Sequence, residues 1–303
     1  MNKSTSVIRP IFLVGMGRSG TTIVFESLAQ HPDLGWLSNY CEWMPRYLFP
    51  NAMVPVVDRL GLRGRKKQYG RAIPVNRYLP QPDEAYAFWD YYSQKHFSRD
   101  YLSGVRATPA TADRVRRAIA RVMFWQRKSR FAAKLTGPGR ITFLSSIFPD
   151  ARFIHVIRDG RPVVESLLRQ RFWREKGGLT GPFWNGTPKH LLREWEASGR
   201  NPDVLAALQW RHVVQSIRAD AAVLPAESYM ELRYEDFVAD PKKSLAAVCL
   251  FAGLSIDQRL LATSEKGGGS FRNMNEKWRE MDRARLDSIT KAMQPTLQEL
   301  GYE

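Results

Sequence analysis

The chain has 303 residues, 44% of them hydrophobic, enough for one large domain with a packed core, which excludes a wholly disordered protein. Lys and Arg total 46 against 30 Asp and Glu, a formal net charge of +16 that points to anionic partners: nucleic acid, lipid headgroups, or phosphorylated and sulfated small molecules. Cys41 and Cys249 show no metal-site or disulfide spacing and read as packed thiols of a reducing compartment. With no signal-like start and no run of roughly 18 apolar residues, the expected location is cytoplasmic, with peripheral membrane contact left open.

Ile11-Phe12-Leu13-Val14 is a continuous apolar run ending at a glycine, the pattern of a strand buried on both faces of a parallel sheet. A helix is expected from Gly20 to Gln30, stopped by His31-Pro32. Residues 50–82 are rich in Pro, Gly and basic side chains and read as an irregular excursion, a lid over the site. Asp83 to Phe97 is aromatic and helical in pattern. From Thr111 to Lys128, Val115, Ile119, Val122 and Met123 recur at helical spacing on a helix that also carries Arg114, Arg116, Arg117 and Arg121.

A second strand is expected at Phe131–Leu135, then a helix near Ile141–Phe148. Arg152–Ile157 is β-branched and strand-like. Arg158-Asp159-Gly160-Arg161 makes a turn, and Pro162 opens a helix to Phe172. Residues 174–200 read as a second irregular excursion. A long helix over Pro202–Val223, a strand at Tyr229–Arg233, a helix at Pro241–Ala252 stopped by Gly253, a glycine loop at Lys266–Gly269 and a last helix from Arg279 to Leu300 complete the chain. Alternating strands and helices predict an α/β fold with a central parallel sheet, and ligands of such sheets bind beyond the carboxyl ends of the strands.

Two strand-to-helix turns stand at such ends. Gly15-Met16-Gly17-Arg18-Ser19-Gly20-Thr21-Thr22 has the outline of a P-loop, with N–H groups curled around one anion and hydroxyls at Ser19, Thr21 and Thr22. The lysine of a nucleoside triphosphatase is replaced by Thr21, and no strand ends in a magnesium-binding Asp. A cation stands inside the loop instead, at Arg18. That combination suits a smaller terminal anion without a metal. A glycine turn that only packs helix on strand is the plainer alternative, and Arg158-Asp159 alone would read as a surface turn.

The two turns together resemble the 5′-phosphosulfate loop and the 3′-phosphate motif of sulfotransferases that use 3′-phosphoadenosine-5′-phosphosulfate (PAPS). The second match is Ile154-His155-Val156-Ile157-Arg158-Asp159-Gly160-Arg161-Pro162-Val163-Val164-Glu165-Ser166, with Arg158 and Ser166 at the spacing of the 3′-phosphate pair. Leu232-Arg233-Tyr234-Glu235-Asp236-Phe237 resembles the segment that places a Tyr near the adenine. Lys134 before Gly137-Pro138-Gly139, Lys266 or Arg272 as an extra cation near the 3′-phosphate, and Trp278 are weaker echoes.

The resemblance implies one sulfotransferase domain spanning residues 1–303, with a P-loop-like sheet and acceptor-binding insertions at 43–130 and 174–200. It implies PAPS as co-substrate, no metal, adenosine 3′,5′-bisphosphate (PAP) as product, and a glycan, lipid or other small-molecule hydroxyl as acceptor. Gly17, Arg18, Ser19, Gly20, Thr21, Thr22, Arg158, Ser166, Tyr234, Lys266 and Arg272 would hold PAPS, with Arg18 also acting in catalysis. Glu42 is the first choice of catalytic base and Glu84 the second; a solvated surface position is the plain reading of either. His155 reads as a packed core histidine, and Tyr86, Phe88, Trp89, Tyr91 and Tyr92 as core with a possible stacking use. A P-loop kinase and a basic nucleic-acid-binding protein stay open as rival readings, although no nucleic-acid motif accompanies the charge. The oligomeric state is unspecified.

Overall fold

The computed structural model describes residues 7–60, 78–257, 260 and 277–302. Five strands form one parallel sheet in the order β2-β3-β1-β4-β5. They are β1 (Ile11–Gly15), β2 (Leu34–Trp36), β3 (Arg130–Thr136), β4 (Arg152–Ile157) and β5 (Tyr229–Arg233). β1 takes the centre because its run is apolar at every position. Phe12 and Val14 enter the core on one face, while Ile11 and Leu13 enter a second core on the other.

Helices cover both faces. In chain order they are α1 (Thr21–Leu28), α2 (Asn39–Trp43), α3 (Met53–Arg59), α4 (Tyr86–Ser93), α5 (Pro109–Gln126), α6 (Ile141–Ile147) and α7 (Gly160–Leu168). Then come α8 (Arg171–Glu175), α9 (Lys189–Ala197), α10 (Pro202–Ala221), α11 (Tyr234–Ala239), α12 (Pro241–Ala252) and a C-terminal helix, Arg283–Glu299. The core around Phe12 is closed by α5, α6, α7, α10 and the C-terminal helix, and the one around Leu13 by α1, α11 and α12. Phe12 lies among Trp89, Phe131, Phe148 and Phe153, with ring centroids 5.6–6.4 Å apart.

The chain leaves β1 towards β2 and β3 on one side, and leaves β4 towards β5 on the other. The neighbouring carboxyl ends of β1 and β4 therefore flank the crevice where ligands of open α/β sheets bind. Both turns singled out in the sequence open into it.

Several expectations need correction. The first excursion is not wholly irregular: a 3₁₀ turn at Phe49–Ala52 leads directly into α3. The second contains α9, whose Leu191 and Trp195 are buried. The helix expected at Pro162–Phe172 starts at Gly160 and breaks after Leu168. β2 and α2 were not anticipated. α5 is a sheet-covering helix with Val115, Ile119, Val122 and Met123 fully buried. Phe88 and Trp89 of the aromatic stretch are also fully buried, so neither is a stacking platform. His155 is core as expected, as are both thiols, which are unpaired with each other. The glycine loop at Lys266–Gly269 lies outside the described residues.

Candidate active site

The loop after β1 is shaped by two glycines. Gly15 passes so close to β4 that a Cβ would lie 2.5 Å from the Val156 carbonyl oxygen. Gly20 has φ +86°, and a Cβ there would lie 2.1 Å from the Tyr234 ring. Only glycine combines this left-handed turn with an aromatic ring laid flat against the backbone. Arg18, between them, has φ +73°, a conformation that costs a side-chain-bearing residue about 1–2 kcal/mol. Such strain is held where the surroundings over-determine it.

Gly20 caps α1 and supplies no side-chain hydrogen bond to it. At Gly17 a Cβ would meet nothing within 4 Å, so the front of the loop opens onto space. A glycine loop leading into the positive end of a helix fits an anion such as a phosphate or sulfonate. Ser19 and Thr21 are almost fully buried beneath the loop. Thr22, partly exposed, accepts a hydrogen bond from Lys134 Nζ at 2.9 Å, which leaves its own proton to donate outward.

The second turn closes on the first. Arg158 Nη1 donates to the Arg18 carbonyl oxygen at 3.0 Å, and the Arg158 guanidinium lies 4.4 Å from the Tyr234 ring centroid. Arg18 Nε donates to Ser166 Oγ at 2.9 Å. Gly20, Arg18, Arg158, Ser166 and Tyr234 thus form one contiguous wall, drawn from the segments that follow β1, β4 and β5. Burial depresses the pKa of both arginines without discharging them. Arg158 is buried while Arg18 is exposed, so the wall presents one desolvated and one solvated guanidinium.

Asp159 makes this turn rigid. Its carboxylate caps α7 by accepting from Arg161 N at 2.9 Å, and it takes a bidentate pair from Arg161 Nε and Nη2. The Arg161 guanidinium in turn lies 4.4 Å from the Trp278 ring centroid. Lys266 and Arg272, the expected extra cations, lie outside the described residues.

The two candidate bases stand apart. Glu42, on α2, accepts from Ala87 N at 2.9 Å and so caps the start of α4. Glu84, just before α4, accepts from Thr136 Oγ1 at 2.6 Å and lies 3.5 Å from Lys134 Nζ. A continuous chain of polar contacts therefore runs from Glu84 through Lys134 to Thr22 in the phosphate loop. Tyr86 braces it, donating to the Thr136 carbonyl oxygen at 2.5 Å. The sequence signal for this link was slight: a lysine inside an apolar strand, which must find a carboxylate and a hydroxyl once buried.

A model of the sulfotransferase family matches residues 10–258. The chain is 27% identical over 267 residues to an omega-hydroxy-beta-dihydromenaquinone-9 sulfotransferase, Stf3, of Mycobacterium bovis. The aligned region takes in 81% of this chain and 63% of that protein, and the same protein of Mycobacterium tuberculosis matches equally. This chain therefore spans only part of the length of the curated relatives it matches. The crystal structure of sulfotransferase STF9 from Mycobacterium avium superposes with TM-score 0.58 at 19% identity, covering 98% of this chain and 78% of that one. That of STF1 from Mycobacterium tuberculosis H37Rv gives 0.55 at 15% identity, covering 95% and 77%. At these identities the likeness speaks to the fold.

Proposed function

The chain belongs to the sulfotransferase family, and we propose that it transfers a sulfonate from PAPS to the hydroxyl of a small-molecule or lipid acceptor, leaving PAP. The observation that carries this reading is the single wall formed by Gly20, Arg18, Arg158, Ser166 and Tyr234, which brings the loop after β1, two guanidinium groups and a hydroxyl together with an aromatic ring. PAPS has that layout: a phosphosulfate at one end of the ribose, a 3′-phosphate at the other, and an adenine to stack.

The roles follow from position. PAPS supplies the sulfonate, and the loop N–H groups and the start of α1 hold its 5′ end. Arg158 and Ser166 hold the 3′-phosphate, as a guanidinium and a hydroxyl suit. Tyr234 lies along the base. The acceptor oxygen forms a bond to sulfur while the bond from sulfur to the 5′-phosphate oxygen breaks, and that oxygen keeps the electron pair. Arg18 and the loop amides are fixed donors for the charge arriving there. Lys134, held by Glu84 and Thr22, adds a cation beside the loop.

The acceptor's proton must go to a general base. Glu84 suits this better than Glu42, because the Lys134 and Thr22 contacts tie it to the loop, whereas Glu42 caps a helix. The Stf3 relatives are named for a hydroxylated menaquinone, which supports a hydroxylated lipid as the acceptor class. A lipidic acceptor brings the enzyme to a membrane surface, and the net charge of +16 favours an anionic one.

Neither rival reading gains ground. Thr21 stands where a kinase needs its lysine. On the Arg-rich α5, Arg114 and Arg116 donate to the carbonyls of Tyr92 and Ile147 at 2.7 and 2.8 Å, so the helix is not a free basic ridge for nucleic acid. The test is calorimetric titration with PAP and with ATP, each with and without magnesium. Metal-independent PAP binding with weak ATP binding supports the assignment; the reverse order refutes it.

A further inference from the structure

α3 is apolar on the side that faces water. Its inner face is conventional: Asn51, Val54 and Val57 are buried against the body of the protein. The outer positions are Phe49, Met53, Val56 and Leu60, spaced as one stripe along the continuous 3₁₀–α3 segment. They are 60%, 45%, 57% and 64% exposed. A surface helix of a globular protein carries polar side chains on that stripe. Here that stripe is apolar, and the helix's two charged residues, Asp58 and Arg59, fall at its C-terminal end.

The stripe extends into its surroundings through Tyr40. The Tyr40 hydroxyl lies 3.7 Å from Met53 Sδ and donates to the Tyr78 carbonyl oxygen, and the Tyr40 ring meets Trp43 edge-on at 5.7 Å. Trp43 and Tyr78 are themselves 51% and 53% exposed. Aliphatic side chains rimmed by half-exposed Trp and Tyr are what settles at the boundary between lipid headgroups and acyl chains.

The exposed charges at this face are basic. Arg46 lies over the Tyr91 ring at 5.4 Å and Arg59 is exposed at the end of α3. Asp58, the only acidic residue from 43 to 60, pairs with Lys128 at 3.5 Å.

We propose that the outer face of α3, with Trp43 and Tyr78, docks on the surface of an anionic lipid bilayer. A second copy of this chain would set one basic face against another. A nucleic acid would leave the apolar stripe in water. An anionic bilayer satisfies both components, since headgroups meet the arginines and the acyl boundary takes the apolar side chains. The proposal deepens the lipid-acceptor reading. α2 joins this face to Glu42, and Glu42 caps α4 next to Glu84, so the docked face adjoins the acceptor side of the site.

The test is co-sedimentation with vesicles of phosphatidylcholine, with and without a third of phosphatidylglycerol. The parent should bind the anionic vesicles and release them at high salt. The Val56→Ser/Leu60→Ser double variant should bind roughly tenfold more weakly or worse. PAP affinity, measured alongside, reports folding. It also separates the two readings: vesicle binding without PAP binding would uphold the face and refute the proposed chemistry, and PAP binding without vesicle binding would do the opposite. Should the double variant fail to fold, Phe49→Ser takes its place. Equal vesicle binding by parent and variant overturns the proposal. So does a dimer in sedimentation velocity that the variant dissociates, because the face would then pair two copies.

Discussion

Arg18 Nε donates to Ser166 Oγ at 2.9 Å, joining two residues 148 positions apart. One belongs to the loop after β1 and the other to α7 after β4, so the two turns share a wall. Arg158 adds a second tie by donating to the Arg18 carbonyl oxygen. The contact explains how a non-glycine residue is held at φ +73° in the middle of the loop.

Replacing Arg158 with Ala should weaken PAP binding by about 10- to 100-fold, the worth of charge-assisted hydrogen bonds of roughly 1.5–3 kcal/mol. Ser166→Ala removes a neutral donor and should weaken it by only about fivefold. Titration calorimetry measures both. A smaller loss for Arg158→Ala than for Ser166→Ala would contradict the roles assigned to them.

Gly20→Ala should be far more damaging than a single methyl suggests. The new Cβ would have to displace the Tyr234 ring, 2.1 Å away, from a backbone position that L-residues seldom adopt. The expected result is a melting temperature lower by a few degrees, consistent with about 1–2 kcal/mol of backbone strain, and weaker PAP binding through the moved ring. Gly17→Ala, whose Cβ meets open space, should leave the melting temperature unchanged. Similar melting points for the two variants would refute this account of the loop.

Glu84→Gln should lower kcat by about 100-fold or more, the range of general-base catalysis, with PAP affinity little changed. Glu42→Gln should instead lower thermal stability by about 1 kcal/mol through the weakened cap of α4. If Glu42→Gln abolished turnover and Glu84→Gln did not, the base would be Glu42.

His155 makes the protein sensitive to acid. Tyr229 donates to Glu231, which as a carboxylate only accepts, so His155 Nδ1 must carry the proton it shares with Tyr229 at 2.8 Å. Burial, reinforced by Arg218, pushes the His155 pKa down to about 3 from 6.5. Between these values the unfolded chain binds a proton that the folded one refuses. The stability contributed is complete above pH 6.5 and lost as pH falls, by up to about 1.4 kcal/mol per unit. Denaturation across this range should show a shallower decline for His155→Gln than for the parent. Parallel curves would contradict the assignment.

Much of the fold was legible because its signals are local. β1 and β4 are continuous apolar runs, α12 is bracketed by Asp240 and Gly253, and both anion-binding turns follow strands. β2 escaped notice because three residues with a glycine in the middle carry no period. α3 was masked by Pro50 and Pro55, which sit at tolerated early positions of the 3₁₀ turn and the helix. The division between Glu42 and Glu84 was not legible, since it depends on which carboxylate the folded chain brings to Lys134, fifty positions further on. The basic character of α5 misled for a similar reason: the carbonyls that engage Arg114 and Arg116 belong to other elements.

The central claim is that the shared wall binds PAPS and delivers its sulfonate to a lipid hydroxyl. The most direct measurement is to incubate the protein, without added metal, with ³⁵S-labelled PAPS and a set of hydroxylated isoprenoid quinols in anionic vesicles, and to resolve the labelled products by mass spectrometry. The account predicts one sulfonated lipid and an equal amount of PAP, both lost in Arg18→Ala. PAP released without any sulfonated lipid, or label transferred equally well by Arg18→Ala, would contradict it.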